Sequence, residues 1–183
     1  MSFQTDHKRK LENLTYHLNN IDELKRGVNG GNTILFTFPP NEEQEYIHFL
    51  KNHLQDKAEF IDISSLFVDF IDSFKDMNEF LEVYQSLNPR SKIFKSDDPE
   101  GDLFTMIIKS IETANENQKI PVIIRTGALY GTEIEHQAIM EHDIVMHKLK
   151  QPLIVLYPST LKNDELYFLD IRKASKYRCT LVE

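Results

Sequence analysis

The chain has 183 residues, 40% hydrophobic and 27% charged, with a formal net charge of −8. Such a composition suits one folded domain and excludes disorder over most of the length. An acidic chain lacks the Lys and Arg surface that neutralises phosphates, so direct nucleic-acid binding by the isolated chain is not expected.

One short basic run, His7-Lys8-Arg9-Lys10, reads as a solvated face. The lone Cys179 excludes an internal disulfide and a multi-cysteine zinc site, and its apolar setting reads as a buried structural thiol. No apolar leader follows Met1 and no window approaches the ~20 apolar residues of a membrane span. The expected location is the cytoplasm, with no membrane association.

Residues 1–32 form the expected N-terminal unit. Leu11, Leu14, Leu18, Ile21 and Leu24 recur at helical spacing over 7–26, and Gly27, Gly30 and Gly31 make a connector. Residues 33–183 are then a single α/β domain. Thr33 to Phe38 reads as a buried strand closed by Pro39-Pro40, and Asn41 caps a helix to Leu54. Ala58 to Ile63 is a second strand, and Ser64 or Ser65 caps a helix carrying Leu66, Phe67, Phe70, Ile71 and Phe74. Helix continues over 77–86, the polar segment 88–101 with its two prolines reads as a flexible loop, and helix resumes over 102–117. Ile120 to Ile124 is the third strand, 132–149 a helix, Pro152 to Tyr157 the fourth strand, 163–176 a last helix and 178–182 a last strand. Apolar strands without polar alternation, separated by helices, predict a mostly parallel sheet of about five strands with helices on both faces. That topology is Rossmann-like or P-loop-like, without a Walker motif.

Ligands in such folds gather beyond the carboxyl ends of the strands. After the first strand the chain offers Pro-Pro-Asn-Glu-Glu, which lacks the glycines and lysine of a phosphate loop. After the third, Arg125, Thr126, Gly127, Gly131 and Thr132 are candidates for an anion-binding turn, against the plainer reading of a tight turn capped by Thr132. His136, Tyr157 and Ser159 complete the candidate ligand set. Glu133 and His136 share the spacing of a carboxylate-bridged metal site, but no second helix repeats it, so no metal is expected. No serine elbow surrounds Ser159, and Asp62 reads as a helix cap. With no nucleophile, base and orienting group together, neither a catalytic residue nor a cofactor is expected.

The order of the C-terminal segments resembles the small BrxB-type component of bacteriophage exclusion (BREX) defence systems. The resemblance rests on Thr126-Gly127, Leu129-Tyr130 and His136, on Pro152 to Pro158, on Leu166-Tyr167-Phe168-Leu169, and on Lys176 to Val182. More loosely, Phe36 to Pro40 and Ile61-Asp62-Ile63 are similar to the family's first two strand–helix units. Gly131-Thr132-Glu133 and Glu135 depart from its pattern, as in a divergent member. The resemblance implies a non-enzymatic interaction subunit of a multi-protein antiphage complex, with a PglZ-like protein and other BREX components as partners. A small-ligand or nucleotide sensor using the edge around 125–132 is the alternative.

Overall fold

The computed structural model describes residues 3–26, 31–96, 101–163, 165–174 and 178–183. Residues 27–30 of the expected glycine connector and 97–100, near the end of the expected loop, lie outside the described residues. Among the described residues the strands are β1 (Thr33–Phe38), β2 (Ala58–Asp62), β3 (Ile120–Ile124), β4 (Leu153–Lys162), β5 (Glu165–Phe168), β6 (Arg172–Lys173) and β7 (Thr180–Val182). The helices are α1 (Phe3–Asn19), α2 (Ile21–Arg26), α3 (Glu43–Leu54), α4 (Ile63–Asp72), α5 (Met77–Ser86), α6 (Leu103–Glu116) and the single turn α7 (His136–Met140).

The strand order is β2-β3-β4-β1-β7, and each of these neighbours runs parallel. Register places Ile61, Ile123, Val155 and Leu35 in one row across the sheet, with their side chains on one face. Ile34, Phe36, Val122, Ile154 and Leu156 point to the other. Each face has its own core. Leu14 of α1, Leu24 of α2 and Tyr46, Ile47, Leu50 and Leu54 of α3 cover one, while α4, α5, α6 and α7 cover the other. Strands buried on both sides read as continuous apolar runs, which is why these were legible.

The sheet is nevertheless mixed rather than mostly parallel. β4 continues through Pro158 and pairs antiparallel with β5, from Ser159↔Phe168 to Lys162↔Glu165, and β5 pairs antiparallel with β6. The chain reverses between Lys162 and Glu165, which pair with one another, and Asn163 is left-handed at φ 53°. Asn tolerates that conformation better than most residues. The expected helix over 163–176 is therefore replaced by a hairpin in the described part of that segment.

The expected helix over 132–149 is also broken. Gly131 (φ 88°) and Glu133 (φ 60°) are left-handed, so α7 starts only at His136, and a π-type turn follows at Ile144–Lys148. Within the expected loop, Ile93 and Phe94 are buried in the core on the α4–α7 side. Helix starts follow side-chain chemistry: Asp62, Asp76 and Asp102 cap α4, α5 and α6 by accepting backbone N–H bonds. Asp62, rather than Ser64 or Ser65, caps α4; α3 begins at Glu43 after a 3-10 turn, with no cap from Asn41.

The basic run at 7–10 is not wholly solvated. His7 is buried edge-on against Tyr46 (4.2 Å) and Phe49 (4.8 Å). Lys10 is buried, donates to the Thr37 carbonyl (3.0 Å) and lies 3.5 Å from Asp6, which ties α1 to the end of β1. A lysine stem packs along apolar surface while its amine finds oxygen partners, so a charge run need not be an exposed one.

Candidate functional site

The chain leaves adjacent strands β1 and β4 toward opposite faces of the sheet. β1 leads into α3 on one face, and β4 into the hairpin on the other. A pocket of about 290 Å³ opens beside the end of β4 on the hairpin side. Its floor is apolar and aromatic: Leu129, Ile134, His136, Tyr157 and Phe168, all buried. Its rim carries Tyr130, Gly131 and four charged residues, Glu133, Glu135, Arg172 and Lys173.

His136 is the chemical centre of this pocket. Its ring meets Phe168 edge-on at 4.7 Å and Tyr157 at 5.0 Å, and those two rings lie 4.8 Å apart. It is 6% exposed, and neither ring nitrogen has a hydrogen-bond partner among the described residues; Nε2 is sealed from solvent. Burial disfavours the charged form, and the nearby Arg172 adds to this, so the imidazole titrates at about 4 and is neutral at pH 7. Arg172 pairs with Glu135 at 2.7 Å, Lys173 pairs with Glu165, and Glu133 accepts from the Ser91 hydroxyl at 2.6 Å. The rim charges thus largely neutralise one another. Glu133 precedes the helix in a left-handed conformation, so it and His136 do not share a helical face. Among the described residues no three His, Cys, Asp or Glu side chains gather as a metal site would require.

Of the residues singled out in sequence, Gly131, His136 and Tyr157 come together at the pocket. Thr132 sits behind its wall, donating to the Leu129 carbonyl (2.8 Å) and accepting from Ile134 N–H (3.2 Å). The other four use their groups elsewhere. Arg125, left-handed at φ 56°, pairs with Asp62 at 2.8 Å. Thr126 donates to the Leu156 carbonyl and Ser159 to the Tyr157 carbonyl. Gly127 closes against Leu169, whose side chain lies 3.4 Å from where a Cβ would be. The segment Thr126–Leu129 is a 3-10 turn, and no helix starts directly after it. An anion at Arg125 would also compete with Asp62 and with the nearby Glu43, whose carboxyl burial pushes upward while Arg125 holds it down.

Phe168, Arg172 and Lys173 were not among the sequence candidates because their segment read as a helix. Asn163, a residue type that favours turns, was the available local signal against a helix there.

Neither the Thr15–His53 pair nor Cys179 is set up for nucleophilic chemistry. Thr15 Oγ1 lies 2.8 Å from His53 Nε2, but its own proton goes to the Leu11 carbonyl (2.8 Å). His53 is therefore the donor in that contact, the reverse of a base activating a hydroxyl. Burial pushes the Cys179 thiol up to about 11, so it stays protonated at neutral pH and is a poor nucleophile.

No family model matches the chain, and no curated protein or solved structure matches it. Among the described residues no helix is long and apolar enough to cross a membrane.

Proposed function

We propose that this chain is a non-enzymatic interaction subunit of a BREX-like antiphage assembly, working in the cytoplasm beside a PglZ-like partner. The observation that carries this reading is apolar surface left exposed on two helices: Val68 of α4 and Met77 and Leu81 of α5 are 55%, 55% and 40% exposed. The 11–24 and 66–74 stripes are unavailable for docking, because Leu14, Leu24 and Phe70 are buried and Leu11, Leu18, Leu66 and Phe67 pack against the two cores. We read the parallel strands as a Rossmann-like unit whose phosphate-loop position holds Pro39, Pro40, Glu42 and Glu43. That sequence removes the amide donors and adds charge that repels phosphate. Co-purification from the native host with mass spectrometry tests the reading. A stable complex, lost when Val68, Met77 and Leu81 are changed to Asp, is expected; recovery of the native chain alone would overturn it.

A second reading, a small-ligand sensor at the strand-end edge, draws on the His136 pocket instead. It expects a ligand at 100 times Kd to stabilise the fold by about 2.7 kcal/mol in a thermal-shift assay. Its absence across a broad screen of nucleotides, bases and small apolar compounds would count against any sensor role.

A further inference from the structure

We propose that the pocket at the end of β4 takes a small planar heterocycle, the size of one purine base, with its hydrogen-bonding edge against the imidazole of His136 and the ring of Tyr130 at its mouth. This rests on the ligand-binding reading and names the chemistry of the occupant.

Three observations converge on it. The first is size. A dry apolar cavity of about 150 Å³ holds a benzene ring, and the volume here is about 290 Å³, which suits two fused rings and little more. That volume lies at the lower edge of the roughly 300–1,000 Å³ of ligand pockets in general. The second is the wall. Tyr157 and Phe168 line the floor but are 1% and 5% exposed, so the ring open to an occupant is Tyr130 at the rim, 56% exposed. Flat aromatic surfaces favour flat occupants through stacked and edge-on contacts.

The third is the histidine. A polar ring atom that opens on a pocket and has no protein partner is free to take one from an occupant. His136 is buried with no hydrogen bond through its ring among the described residues. Nε2 is closed off even from water, so an occupant meets the ring at Nδ1. No protein group fixes the tautomer, which leaves Nδ1 able to donate or accept. A purine edge, where donors and acceptors alternate, is matched by such a group. A hydrocarbon ring of the same size is not. The paired rim charges, Arg172 with Glu135 and Lys173 with Glu165, give no strong pull on an isolated charge and so favour a neutral ring system.

The test is an NMR titration of the full-length ¹⁵N-labelled chain with adenine, AMP, and indene as a bicycle without a polar edge. Saturable adenine binding is expected, with a shift of the His136 ring nitrogen resonance and indene at least tenfold weaker. His136→Phe, which keeps a ring and removes both nitrogens, should weaken adenine at least tenfold; Tyr130→Ala, at an exposed position that leaves the fold intact, should weaken it severalfold. Adenine binding tighter than AMP is expected and assigns the pocket to a neutral base; AMP binding tighter than adenine overturns the neutral-ring assignment. Indene binding as well as adenine, or His136→Phe binding adenine as well as the native chain, overturns the heterocycle proposal while leaving ligand binding intact. No binding of any probe to the folded native chain overturns the ligand-binding reading as well.

Discussion

Acidification should destabilise this protein through His136 before its carboxylates titrate in bulk. The ordinary imidazole titrates at 6.5, and in the folded chain burial beside Arg172 brings it down to about 4. Between those values the unfolded chain takes up a proton that the folded chain refuses. Stability that is fully present above pH 6.5 is therefore lost as pH falls toward 4. At about 1.4 kcal/mol for each pH unit, the loss reaches about 3 kcal/mol, a large part of the 5–15 kcal/mol typical of a whole domain. The charged groups around the ring do not reverse the sign. Arg172 opposes the proton, Glu135 is occupied by Arg172 at 2.7 Å, and Glu133 takes the Ser91 hydroxyl. Urea unfolding followed by circular dichroism at pH 7.5, 6.5, 5.5 and 4.5, for the native chain and His136→Gln, isolates the effect. His142, whose titration burial also lowers, is common to both proteins and cancels in the difference. The native chain should lose about 3 kcal/mol more than the variant by pH 4.5 or just below it. Parallel stability curves for the two would refute the buried, neutral assignment of His136.

Three further outcomes follow from the packing. Gly31→Ala places a Cβ 2.0 Å from the Arg178 carbonyl oxygen, a backbone overlap that only movement of the β7 end can relieve; chemical denaturation should show a loss of roughly 1–3 kcal/mol, as for overpacking. Asp62→Ala removes both the α4 cap and the partner of Arg125, and should cost about 1–2 kcal/mol by the same measurement. Cys179 in the native chain should react with iodoacetamide at pH 7.5 far more slowly than in urea, because burial raises its thiol to about 11; equal rates by mass spectrometry would contradict that environment.

Much of the architecture was legible in the amino-acid sequence, and the reason is local. Ile34 to Phe38 and Val122 to Ile124 are buried on both sides of the sheet, so their apolar runs carry the strand signal with no tertiary information. Asp62 stands at a strand end before an apolar helix, and it caps that helix as a short carboxylate there does. The α/β class follows from such segments in alternation.

Other features were decided only by the folded chain. Leu166 to Phe168 suits a helix or a strand, and pairing with β4 just after the left-handed Asn163 settled it as a strand. That pairing made the sheet mixed and carried Phe168 and Arg172 to His136. Likewise, His7 and Lys10 looked like a solvated charge run until Tyr46 and the Thr37 carbonyl came up against them. The sequence by itself determined strands β1 to β4, the Asp62 cap of α4 and the missing phosphate loop, because each depends on residues close along the chain. The tertiary structure alone decided that His136 lies unpartnered in a ring-walled pocket, because its neighbours there come from segments some twenty to thirty-six residues away.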